Sequence, residues 1–124
     1  MPFIPACVVN GGKLVFLSGC GPVPLYHKHP HDPVEERSWL AGGFRAQLDK
    51  TFENIKMVLA AVGADLSRIV KLTIYLTDIS HQNELNKAIY EYFGTENPPP
   101  RTLVSVPALS HEDMLIEVDA TAAI

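Results

Sequence analysis

Pro98-Pro99-Pro100-Arg101-Thr102-Leu103-Val104-Ser105-Val106-Pro107, followed after a short turn by the run from Met114 to Ala120, decides how this chain is read. Alternating apolar residues make each run a strand. Ala108, Leu109, Ser110, His111, Glu112 and Asp113 lie between them, enough for a hairpin loop. Period-two alternation groups Thr102, Val104 and Val106 on one face and Arg101, Leu103 and Ser105 on the other. On the last strand Glu117 stands between Ile116 and Val118. A guanidinium and a carboxylate, joined by a hairpin and framed by apolar residues, form the chain's best candidate site. The alternative is an internal or intersubunit salt bridge between the same two groups.

The preceding elements supply the rest of a layer. Phe44, Leu48, Phe52, Ile55, Leu59 and Val62 recur at spacings of three and four, predicting a helix over 44–62 that Gly63 stops. From Arg68 to Thr77, Val70, Leu72, Ile74 and Leu76 share one strand face, with Ile69, Lys71, Thr73 and Tyr75 on the other. Ser80 is the expected N-cap of a second helix, whose stripe is Leu85, Ala88, Ile89 and Tyr92 and whose end is Gly94. Asn86 lies beside that stripe, placed either to reach a ligand or to make an ordinary surface hydrogen bond. Upstream, Val8 and Val9 read as a short strand, Asn10-Gly11 as a hairpin turn, and 14–17 as a second strand. That strand ends in Ser18-Gly19-Cys20-Gly21, where glycine lets the backbone approach a ligand or simply leave the sheet.

The expected architecture is a single α+β domain over residues 1–124, ordered β-β-α-β-α-β-β, with two helices on one face of a mainly antiparallel sheet. The faces carrying Leu103 and Ser105, and Leu115, Glu117 and Asp119, are then left uncovered. A face part apolar and part acidic predicts an oligomer.

A chain of 124 residues with 47% apolar and 19% charged residues suits one ordinary globular domain. Its net charge of -4 and lack of a basic block argue against a nucleic-acid surface. No apolar run approaches the roughly 20 residues that span a bilayer, and no secretion signal precedes the first strand. Two cysteines, Cys7 and Cys20, are too few for a disulfide scaffold, so a cytoplasmic setting is expected. Between Pro22 and Trp39, Pro22, Pro24, Pro30 and Pro33 break any regular pattern. His27, His29 and His31, near Asp32, are there either a solvated loop, a set of transition-metal ligands, or a flap over a neighbouring site.

Across nearly the whole chain, motifs resemble the RidA/YjgF/UK114 family of reactive-intermediate imine deaminases, also described as endoribonuclease L-PSP. They are Phe16-Leu17-Ser18-Gly19, Asn54-Ile55-Lys56, Val62-Gly63-Ala64, the run from Val70 to Asp78, and Asn86 within Leu85-Asn86-Lys87-Ala88-Ile89-Tyr90. Most specific is Pro100-Arg101-Thr102-Leu103-Val104-Ser105-Val106 followed by Ile116-Glu117-Val118. The resemblance implies a chorismate-mutase-like fold, a homotrimer with clefts between subunits, and no organic cofactor or metal. It implies hydrolysis of small enamine or imine carboxylates, of the 2-aminoacrylate and 2-aminocrotonate type, to 2-keto acids and ammonia. Arg101 then matches the carboxylate clamp and Glu117 the residue that handles the hydrolytic water. Gly19, Ser18, Asn86 and the backbone of Leu103 match substrate-binding positions.

The chain departs from the family pattern in several places. Leu103 stands where active members commonly carry cysteine, and Cys20 where many carry glutamine. The family's N-terminal aromatic falls by spacing near Pro5, leaving Phe3 or Tyr26 as substitutes. The 22–39 loop is also longer than usual. These changes surround the cleft, so they predict altered substrate choice before lost folding. Other readings remain: a noncatalytic small-carboxylate-binding or protein-interaction member, a deaminase for a larger aminomuconate-like imine, an endoribonuclease, and a histidine-loop metal protein.

Overall fold

In the computed structural model, which describes residues 1–25, 30 and 32–124, seven elements carry the fold. They are β1 (Leu14–Phe16), α1 (Pro33–Leu40), α2 (Gly43–Ala61), β2 (Ile69–Leu76), α3 (Gln82–Phe93), β3 (Arg101–Ser105) and β4 (Ile116–Ala123). The four strands form one sheet in the order β1-β4-β2-β3. β4 runs antiparallel to both its neighbours, whereas β2 and β3 are parallel. The expected mixed α+β layer with a largely antiparallel sheet is present.

The expected terminal hairpin is not. β2 lies between β3 and β4, because α3 is a crossover long enough to return the chain parallel to β2. The 106–115 segment then crosses the end of β2: Val106 donates its N–H to Leu76 O (2.9 Å), and Thr77 donates to Leu115 O (3.2 Å). This places β2, whose inner residues are wholly apolar, at the middle of the sheet.

Three further expectations are corrected. Val8 and Val9 form no strand; Val8 is 82% exposed, and β1 pairs instead with the longer edge offered by β4. The 22–39 segment contains a helix, α1, started by an Asp32 side chain that accepts from Val34 N–H, by Pro33 in the first turn, and by Glu35 and Glu36 near the helix's positive end. Ser80 does not cap α3: Asp78 accepts the Ser80 N–H (2.9 Å) and starts a 3-10 turn, Ile79–His81, ahead of the helix.

The core lies between the helices and one sheet face. Phe44, Leu48, Phe52, Ile55 and Leu59 of α2, with Leu85, Ala88 and Ile89 of α3, cover Leu72, Ile74 and Leu76 of β2 and Ile116, Val118, Ala120 and Ala122 of β4. Ile69 joins them, contrary to strict alternation. The β2–β4 register slips between Ile69 and Lys71, so Val70 is an extra residue that returns Ile69 to the inner face.

One polar side chain fastens this layer. Gln47, 1% exposed on α2, donates to Leu40 O and Asp113 O (both 2.9 Å) and accepts from Leu115 N–H (2.7 Å). It ties the end of α1 and the approach to β4 onto the same helical turn. Gln47→Leu keeps the volume but strands three backbone groups. Denaturant unfolding should show a loss of about 2–3 kcal/mol.

Candidate functional site

Strand register assigns each predicted residue to a sheet face. Arg101 pairs with Leu72, which pairs with Ala120, so Arg101 opens β3 on the helix-covered side. Leu103, opposite Ile74, is on that side too and packs against the core. Thr102 and Val104 therefore occupy the open face, reversing the expectation that Leu103 and Ser105 do so. Glu117 pairs with Tyr75 and Asp119 with Thr73, placing both carboxylates on the open face, as alternation predicts. Arg101 and Glu117 thus sit on opposite sides of the sheet, about two strand spacings (~10 Å) apart laterally. A single subunit does not unite them.

Arg101 has its own setting. Its Nη2 donates to Asn86 Oδ1 (2.6 Å), so the amide beside the α3 stripe is turned toward the guanidinium. The Phe3 ring lies with its centroid 5.6 Å from the Arg101 Cζ. Nη1 is buried and has no hydrogen-bond partner. Burial pulls the guanidinium's proton affinity down, and the nearby Tyr90 partly opposes this. A half-buried cation with a spare donor is an anion-binding arrangement.

The second cluster forms where the segment after β1, which carries Ser18 and Gly19, runs beside β4. Leu17 N–H donates to Ala120 O (3.1 Å), and Cys20 and Val118 exchange backbone hydrogen bonds of 2.9 and 2.8 Å. Gly19 is therefore held over Glu117 and Asp119. A Cβ there would lie 2.9 Å from Glu117 Oε2 and 3.2 Å from Asp119 Oδ1. Ser18 is exposed beside it. Asn54 secures the loop beyond by donating to Gly21 O (2.8 Å) and Val23 O (2.7 Å). Burial raises the Glu117 pKa, the Asp119 charge raises it further, and His111 opposes them. Cys20 is also raised, by burial first and then by the same two carboxylates, so its thiol is protonated and unreactive near neutrality.

Sequence patterning missed the Tyr75 hydroxyl, which reaches Asp119 Oδ2 at 3.5 Å, because it paired β4 with the wrong strand. A groove of about 410 Å³ between Pro22, Val23, Pro24, Trp39 and α2 contains neither Arg101 nor Glu117. Tyr26, His27, His29 and His31 lie outside the described residues. Among the described residues no group of three or more His, Cys, Asp or Glu side chains could hold a metal ion, and no helix is long and apolar enough to cross a membrane.

The sequence model of the family described as Endoribonuclease L-PSP matches residues 3–124. This chain belongs to that family, also known as RidA/YjgF/UK114. Protein DfrA of Myxococcus xanthus is 39% identical over 121 residues, covering 98% of this chain and 84% of DfrA. TdcF of Escherichia coli, whose name carries the words reactive intermediate deaminase, is 29% identical over 117 residues, 92% of this chain and 81% of TdcF. Among solved structures, RidA from an Antarctic Psychrobacter superposes with a TM-score of 0.73 at 32% identity, covering 100% of this chain and 96% of that one.

Proposed function

We propose that this protein hydrolyses small imine or enamine carboxylates to 2-keto acids and ammonia. The observation that carries the reading is the Arg101 guanidinium, fixed by Asn86 yet left with a buried, unpaired Nη1. A substrate carboxylate supplies the acceptor it lacks, with the Leu103 backbone alongside. Glu117 takes a proton from water as the oxygen adds to the carbon of the protonated imine, the tautomer of the enamine, giving a neutral carbinolamine. It then gives that proton to the nitrogen, and as the C–N bond breaks and ammonia leaves, the hydroxyl proton passes back to the Glu117 carboxylate and the 2-keto group forms. No cofactor is needed, because the electron pair released by the breaking bond stays on the departing nitrogen. The name of TdcF, which carries the words reactive intermediate deaminase, supports this reaction class.

The separation of Arg101 from Glu117 supports a site shared between subunits, and the family resemblance implies that the assembly is a homotrimer of chorismate-mutase-like subunits with clefts between them. In that assembly the open face bearing Glu117, Gly19 and Ser18 meets the Arg101 edge of a neighbouring subunit. Glu117 and Asp119 on that face, in a chain whose net charge is -4, would repel a phosphate backbone and disfavour the endoribonuclease reading.

The test is coupled 2-keto-acid formation from freshly generated 2-aminoacrylate and 2-aminocrotonate. Acceleration over spontaneous hydrolysis supports the assignment. Its absence shifts the reading to a larger imine or a binding protein.

A smaller substitution probes the carboxylate's placement. Gly19→Ala puts a methyl group against the flexible end of Glu117, which can swing away at little cost to folding. We expect an unchanged thermal midpoint with roughly a tenfold lower kcat/KM, since a misplacement of about 1 Å costs up to 10²-fold.

A further inference from the structure

We propose that Phe3 is a positioning residue for Arg101, its ring holding the guanidinium so that the free donor stays aimed at the substrate carboxylate. The proposal deepens the deaminase reading above and rests on it.

Two independent restraints meet on Arg101. Asn86 Oδ1 fixes one corner by accepting from Nη2 at 2.6 Å. The Phe3 ring, centroid 5.6 Å from Cζ, supplies the electron-rich aromatic face that attracts a guanidinium. Phe3 is not left there by a loose terminus. Ile4 donates its N–H to Pro98 O (3.1 Å), stitching the segment to the residues that lead into β3. Phe3 itself is partly buried.

Geometry lets such a ring assist without competing. Carboxylate oxygens approach a guanidinium in its plane, along the N–H bonds, whereas the attraction to an aromatic ring acts through the ring's face and makes no claim on an N–H donor. Nη1 is left without an acceptor. Arg101 is the first residue of an edge strand, where one hydrogen bond alone would leave a long side chain free to turn about it.

The experiment measures binding of 2-oxobutanoate, a non-reacting keto acid, by calorimetry, together with kinetics and thermal midpoints for wild type and variants. Phe3→Ala is expected to weaken 2-oxobutanoate roughly three- to tenfold and raise KM by a similar factor, with kcat within about twofold of wild type. Phe3→Tyr retains the aromatic face and should bind as wild type. Phe3→Leu keeps apolar bulk without that face and should behave like Phe3→Ala. Wild-type binding in Phe3→Ala or in Phe3→Leu overturns the proposal, as does a fall in kcat with KM unchanged. Arg101→Ala separates the two levels. If it leaves keto-acid binding intact, the clamp itself is wrong. If it abolishes binding while Phe3→Ala does nothing, only the role of Phe3 falls.

Discussion

Replacing Glu117 with glutamine is expected to lower kcat for 2-aminocrotonate hydrolysis by about 10²–10⁴-fold, the range for losing a general acid–base. Keto-acid binding and thermal midpoint should stay near wild type, because the isosteric amide fills the same space. The pH profile makes the role specific. Burial and the adjacent Asp119 charge both raise the proton affinity of Glu117. A base works only when deprotonated, so activity is full above that raised pKa and lost as pH falls through it. The acid limb of kcat/KM should therefore lie above the ordinary carboxylate range. Asp119→Asn removes the like charge, so the limb should move to lower pH. A Glu117→Gln enzyme with wild-type turnover would eliminate Glu117 as the proton carrier.

How much of this was readable from residues follows from what each signal measures. Alternation reports which face a side chain takes, and it put Glu117 and Asp119 on an open face, where they are. It says nothing of which strand lies alongside. The short 108–113 connection looked like a hairpin, yet the 106–115 segment steps over β2, and that choice depends on which apolar strand most needs the centre. The same error reversed the faces of Thr102, Leu103 and Val104. Helical periodicity located α2 and α3 within a residue or two because their apolar stripes are long. It missed α1, whose evidence is the capping residue Asp32 and the proline and acidic residues of its first turn rather than a stripe. The Asn86–Arg101 bond was half legible, since position beside a stripe gives a direction but no partner. Gln47 was invisible: a polar residue flanking the apolar stripe looks solvated until the chain segments it bridges are known.

Arg101→Ala is expected to cost about 3 kcal/mol of transition-state binding, near 100-fold in kcat/KM, through loss of charge-assisted hydrogen bonds to the substrate carboxylate. Arg101→Lys should recover only part of this, because an ammonium lacks the planar fork and meets Asn86 differently. Neither change should destabilise the fold in proportion. The wild-type guanidinium is half-buried with Nη1 unpaired, so deleting it also removes a desolvation cost. A large catalytic loss with an unchanged or raised thermal midpoint would mark a cation kept for its ligand. The residue's place on the sheet adds a sharper consequence. If Arg101 and Glu117 of one subunit face different clefts, Arg101→Ala and Glu117→Gln subunits can repair one another. A trimer reassembled from equal amounts of the two has about a quarter of its sites built from an intact arginine and an intact glutamate. Mixing two nearly inactive proteins should then restore roughly that fraction of wild-type turnover. If refolded mixtures form trimers yet remain inactive, the cleft does not draw Arg101 and Glu117 from different subunits.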